Sequence, residues 1–400
     1  MSKSMSSIQQ LSMIAIAFFL PFHMTFIYPF FSIVIFCEVF NKDFIKRQKT
    51  MLSSPLVLCF ILYFFLHLLG LLWTSDLEEG LDTINRNVPF LLFGFLWLAA
   101  KYEKRNLYMF AFVTGLSICS LLAHYNLLQQ IYPSYLIEGI VSGKRGGEET
   151  SPFLSHLTFA PILAVGIYFI VWSFLSAGKN IKHLIIKFGA LLLLFSNLVF
   201  STGRAGFLML IVLACSAIIN SSKNIRVGFF KLIFIIPLCA LSIYFISENV
   251  KNRVDAGFND VQTFSQNPNS SIGLRMVFAI QSFDLFLQNP FFGTGTGGLR
   301  SQYEKVVRPE FENLVTPNNP HNQYLMISSN LGVIGLAALL LLFFLSFKYS
   351  DSRGKAIVLG YVVICLVESY LWRANTSFLF VYFISVFSQR QSFLFSSTIK

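Results

Sequence analysis

Apolar residues recur along the chain in runs at about 11–22, 27–40, 55–73, 88–100, 107–131, 153–175, 182–199, 205–219, 228–246, 323–348, 355–371 and 374–388. A helix that crosses the hydrocarbon of a bilayer needs about 20 mostly apolar residues. Several runs reach that length. Shorter ones, such as 88–100 and 374–388, are expected to extend into polar flanks or to snorkel. The stretch 11–40 reads as a hairpin broken near Pro21. The pattern predicts an all-α polytopic membrane protein of about twelve transmembrane helices. No small-residue cleavage site follows the first run, so it is expected to remain as a span and not to be removed as a signal peptide.

One long polar segment interrupts the pattern, at 247–322, and divides the chain into spans one to nine (1–246), a loop, and spans ten to twelve (323–400). Within the loop Ile272, Met276, Ile280, Phe283 and Leu287 recur at three- and four-residue steps, which predicts an amphipathic helix on or near the membrane. Pro290 and the glycines at 293–298 are expected to end it. A long loop with an apolar-faced helix reads as functional.

Composition and charge sharpen this picture. Of 400 residues, 55% are apolar and 12% charged, with 46 phenylalanines, so most of the surface must face lipid. The net charge of +11 could suggest nucleic acid, but its distribution gives another reason. Starting inside, successive inner loops carry Lys42, Lys46, Arg47 and Lys49; Lys101, Lys104 and Arg105; Lys179, Lys182 and Lys187; Lys348, Arg353 and Lys355. The outer loop 74–87 carries Asp76, Glu78, Glu79 and Asp82. This positive-inside pattern predicts an even number of spans, both termini in the cytoplasm and the 247–322 loop in the periplasm. Nucleic acid is not needed to explain the charge. The six cysteines all fall in apolar runs without a CxxC pair, so neither a disulfide framework nor a metal site is expected.

The candidate chemistry gathers on the outer side. His321-Asn322 opens the tenth run, nine residues separate Asn322 from Gly332, and Gly335 follows at Gly-x-x-Gly spacing. Ser201-Thr202-Gly203-Arg204-Ala205-Gly206 opens the eighth, and in the loop Gly273-Leu274-Arg275 leads to Asn289-Pro290-Phe291-Phe292-Gly293-Thr294-Gly295. Together these segments resemble the O-antigen ligases, and partly the related O-antigen polymerases, over about 200–340; the first 190 residues match in hydropathy alone. The resemblance implies a GT-C-like glycosyltransferase of the bacterial inner membrane that works without cofactor or metal. Its donor would be a glycan on undecaprenyl diphosphate and its acceptor lipid A–core; a polymerase would instead join lipid-linked repeats. It also implies His321 as the base and Arg204 and Arg275 as diphosphate binders. Guanidiniums suit such a leaving group because they donate paired, charge-assisted hydrogen bonds, and an imidazole can accept the proton of an attacking hydroxyl.

Each residue also has a plainer reading: Arg204 as an interfacial anchor, Arg275 as the polar face of a surface helix, His321 as a helix-start residue. Asn322, Arg373 and His124 are further candidates for lining the site. His124 clusters with Asn126, Gln129 and Gln130, a group that suits interhelical hydrogen bonding better than it suits a cavity lining. Gly293-x-Gly295-x-x-Gly298 matches the dinucleotide fingerprint but follows no strand, so it reads as chance. A transporter would more often carry midplane charges and inverted repeats; here Glu38 and Glu368 are the main acidic residues in the runs, each near an end.

Overall fold

The computed structural model describes residues 3–131, 151–176, 181–201, 203–222, 224, 227, 248–314 and 316–388. The expected span at 228–246, the outer-side Lys144 and Arg145, the side chain of Gln130 and the chain beyond 388 lie outside the described residues. Among those residues the fold is helical, and its one β-type pairing is an isolated bridge between Ser350 and Ser388.

The chain runs through α1 (Lys3–Phe19), α2 (Tyr28–Val39), α3 (Phe44–Leu52), α4 (Pro55–Leu69), α5 (Leu77–Leu91), α6 (Phe93–Ala99), α7 (Arg105–Ile131), α8 (His156–Ser176), α9 (Ile181–Phe200) and α10 (Arg204–Ser221). After the polar boundary come α11 (Glu248–Gln262), α12 (Ser271–Gln288), the short α13 (Leu299–Tyr303), α14 (Gln323–Tyr349), α15 (Ser352–Ile364) and α16 (Ala374–Phe387). Among the described residues, six helices are long and apolar enough, by length and composition alone, to cross a membrane, and a seventh is added if α2 and α3, bent by 109°, are one broken span.

Several short runs do not form single continuous helices. The run 88–100 divides between α5 and α6 at Leu92, just after Pro89, which has no N–H to continue the ladder. α5 itself starts earlier, because Asp76 caps it, its carboxylate accepting from Glu79 N at 3.0 Å. In the run 355–371 the helix stops at Ile364, and 365–373 is an irregular turn. At about 20 Å each, α15 and α16 are shorter than the hydrocarbon core is thick.

Of the six membrane-length helices α8 is the most buried and α9 the most exposed: 72% and 17% of their most apolar windows are buried. α10 approaches α8 closely because Gly206 has no side chain there; a Cβ would lie 2.7 Å from the Ala160 Cβ and carbonyl oxygen. Phenylalanines supply much of the packing. Phe60 stacks on Phe93 with ring centroids 3.8 Å apart, Phe383 stacks on Phe387, and Phe169 meets both of the latter edge to face. Arg353, read from sequence as an inner-loop cation, is instead buried, ion-paired with Asp351 and lying over the ring of Phe387.

α14 is not one rod. Gly332 has φ +64° and ψ −159°, and the helix breaks there. Along a straight helix Tyr324 and Phe343 would stand about 28 Å apart; their ring centroids are 6.4 Å apart. Residues 323–331 therefore fold back beside 333–349. Gly335 permits the fold: a Cβ there would meet Ile327 Cγ2 at 3.0 Å and Leu331 Cβ at 2.4 Å. The Gly-x-x-Gly pair thus has two physical jobs, a left-handed break and a close approach. The glycine loop fills the break. Ser329 O and Asn330 O accept from Thr294 N and Gly295 N at 2.8 and 2.9 Å, and Val333 N donates to Pro290 O at 2.7 Å.

α12 forms as the loop's apolar periodicity predicts, capped by Ser270, whose hydroxyl accepts from Gly273 N at 3.1 Å. The stripe of Phe283 and Leu287 faces outward, and the opposite face, Val277, Phe278 and Leu285, joins Tyr303 and Phe311 in a small separate core.

Candidate active site

Two turns of chain meet at the start of α14. Asn322 caps the helix, its side-chain oxygen accepting from Tyr324 N and Leu325 N, while its amide donates to Leu366 O at 3.1 Å. Gln323 N donates to Cys365 O, and Gln323 Oε1 accepts from Leu371 N, both at 2.9 Å. These bonds fasten the 365–371 turn to the helix start. They also show that Asn322 is a structural cap whose polar atoms are already in use.

The fastened turn delivers Glu368, which is 1% exposed, to His321. Glu368 Oε2 lies 2.7 Å from His321 Nδ1 and forms an ion pair with Arg373 Nη2 at 3.1 Å. Its other oxygen accepts from Asn319 Nδ2 at 2.7 Å and Ser369 N at 2.9 Å. Burial pushes the Glu368 carboxyl up, but the His321 hydrogen bond and the Arg373 charge outweigh it and hold the group down at about 2. An ionised Glu368 accepts the proton of Nδ1 and so assigns the neutral imidazole its tautomer, leaving the Nε2 lone pair free.

His321 is held in a costly backbone conformation, φ +55°, the one non-glycine residue with positive φ among the described residues. Such a position costs on the order of 1–3 kcal/mol and persists only where its surroundings fix it. Here Asn319 Oδ1 accepts from His321 N at 2.9 Å, and the same oxygen accepts from Ser369 Oγ at 2.7 Å. On the open side the ring of Phe278 lies nearly parallel to the imidazole, at 21° and 6.1 Å.

Phe278 also locates Arg275, one turn earlier on α12. Burial and Glu368 push the Tyr370 phenol up, while Arg373 and Arg275 oppose them, so both guanidiniums act on the same turn. Tyr370 donates to Leu157 O at 3.2 Å at the start of α8. Arg204, exposed at the first position of α10, sits next to that start, where Gly203 packs on His156 O and Ala160. The structure therefore brings His321, Arg275 and Arg373 into one cluster and reaches Arg204 through α8. His124 makes its contacts elsewhere, with Ser120 O on its own helix and Ser196 Oγ on α9.

Residues 189–340 match the family described as O-antigen ligase. Over this stretch the chain is similar to the O-antigen ligase family. The stretch runs from α9 past Arg204, Arg275 and His321 to the Gly332–Gly335 pair, and no curated protein matches the chain. Glu368 and Arg373 lie beyond the O-antigen ligase match, so the carboxylate that meets the His321 ring comes from outside the matched segment.

Sequence reasoning missed Glu368, Asn319, Ser369 and Trp372. Glu368 carried a usable signal, since an ionisable residue within an apolar run is a functional candidate by default. Trp372 carried none. Its ring lies under the Arg86 guanidinium of α5, 3.8 Å from centroid to carbon, while Arg86 is paired with Asp82.

Proposed function

We propose that the chain is an O-antigen ligase of the bacterial inner membrane that transfers a glycan from undecaprenyl diphosphate to a sugar hydroxyl of lipid A–core on the periplasmic face. The observation that carries this reading is the His321–Glu368 pair, set beside Arg275 within and just after a segment of that family. His321 Nε2 takes the proton of the acceptor hydroxyl as its oxygen bonds to the anomeric carbon. The bond from that carbon to the diphosphate oxygen breaks, and the electron pair leaves with the diphosphate. Glu368 stabilises the imidazolium that forms. Arg275 and Arg204 hold the diphosphate and offset its growing charge, without a metal.

The proposal includes twelve spans, counting the 228–246 run and the short helices, with both termini cytoplasmic and 247–322 periplasmic. The positive-inside distribution supports it.

The test uses purified protein, lipid-linked glycan and lipid A–core, with chelator and no nucleotide. Wild type should form the joined product, and His321→Ala should lose roughly 10²–10⁴-fold of the rate, the usual worth of acid–base catalysis. Equal rates for the two would remove His321 from the chemistry. Joining of lipid-linked repeats in place of lipid A–core would make the chain a polymerase, and glycan movement across vesicles without joining would make it a transporter.

A further inference from the structure

The bend after α2 turns the chain through 109°, and α4, long and apolar enough to span a membrane, starts at Pro55, just past the end of α3 at Leu52. α3 therefore lies across the end of a span, along the membrane–water boundary. Its composition suits that place. Ile45 and Leu52 expose apolar surface, as do Phe36 and Phe40 at the end of α2, while Lys42, Lys46 and Lys49 are all exposed. None of the three lysines is ion-paired among the described residues.

A cavity of about 280 Å³ opens beside this helix, lined by Asp43, Lys46, Arg47, Thr50, Trp97 and Leu98. Small-molecule clefts run from about 300 to 1,000 Å³, so this one suits a headgroup and not a long ligand. Arg47 spends Nε and Nη2 on the buried Glu38 carboxylate, at 2.8 and 2.6 Å, and Nη2 also donates to Leu98 O. Glu38 is thereby neutralised, and Asp43 remains as the carboxylate facing the cavity. Lys46 faces it in the lining, and Lys42 and Lys49 on the same segment add a surplus of positive charge, so the local field favours an anion. Tryptophan in the lining is typical of the headgroup level of a membrane.

We propose that this cavity binds the phosphate of an anionic phospholipid headgroup, with Lys46 as the principal cation and the acyl chains lying along Phe36 and Phe40. A free phosphate offers the same charge but has no use for the exposed apolar residues that flank Asp43 and Lys46 along the chain, Phe36, Phe40 and Ile45, whereas a phospholipid matches both. The site is separate from the His321 cluster and does not depend on the transfer reaction.

The test is native mass spectrometry of the full purified chain with equimolar dioleoylphosphatidylglycerol and dioleoylphosphatidylcholine. Phosphatidylglycerol should be retained preferentially, and Lys46→Gln should lower its retention about fivefold, the usual worth of one lysine near an anionic headgroup. Lys46 is exposed and unpaired, so the variant should fold with an unchanged melting temperature. Lys49→Gln, on the same helix but outside the cavity lining, should lower retention much less. Equal retention of the two lipids, no loss in Lys46→Gln, or equal losses in both variants would each overturn the site. Displacement of phosphatidylglycerol by inorganic phosphate at matched concentration would make it a free-anion site and overturn the lipid assignment.

Discussion

Glu368 and His321 are 47 residues apart in sequence, and Oε2 of one lies 2.7 Å from Nδ1 of the other. The pair gives the imidazole a defined tautomer at a backbone position that a histidine does not adopt without cause. Glu368→Gln keeps the shape and one acceptor but removes the charge that stabilises an imidazolium. Transfer should fall about 10²-fold or more in kcat, with the KM for donor little changed, because the diphosphate contacts come from the arginines. A Gln variant with wild-type kcat would reduce Glu368 to a packing role.

The same carboxylate makes stability depend on pH. Its native value, about 2, lies below the ordinary 4.5, so the folded state holds the ionised form more tightly than the unfolded state does. The resulting stabilisation is fully present above about 4.5 and is lost as pH falls through that range toward about 2. Melting temperatures in detergent should drop across this window in wild type and drop less in Glu368→Gln. Parallel curves would show that other carboxylates dominate the acid response.

Arg275→Lys retains charge but not the planar two-pronged donor. The KM for lipid-linked donor should rise and kcat/KM should fall by about tenfold, with insertion and melting unchanged. A lysine variant as efficient as wild type would leave Arg275 as a surface-helix charge.

Single cysteines replacing Ser265 and Ser352 in a cysteine-free background should react from opposite sides with an impermeant thiol reagent. Labelling of both from outside intact cells would end the twelve-span topology.

The helices were legible in sequence wherever hydropathy alone decides them: α4, α7, α8, α9 and α10 coincide with apolar runs, and α12 with a stripe of Ile272, Met276 and Ile280. His321 and Arg275 were legible because a motif marks them. Glu368 was not, because an acidic residue near the end of an apolar run also reads as a boundary charge; its partner in space could not be inferred from 47 residues away. The fold of α14 was hidden for another reason. Gly332 and Gly335 sit in a continuous apolar run, and hydropathy cannot distinguish a rod from a hairpin of the same residues. The shortness of α15 was hidden likewise, since Cys365, Leu366 and Val367 prolong the apolar pattern beyond the last helical turn.

The splice of the glycine loop into the break of α14 also sets where the chain can change length. Thr294, Gly295 and Thr296 donate in turn to Ser329 O, Asn330 O and Gly70 O, so consecutive residues are matched one by one to fixed partners. Deleting or adding one residue between Gly293 and Gly297 would put every donor opposite the wrong carbonyl and disturb the half-helix that carries His321 at its start. At Gln266–Asn267, where the side chains are exposed, the same insertion meets solvent. Length variation in related sequences should therefore accumulate at the second place and be absent from the first.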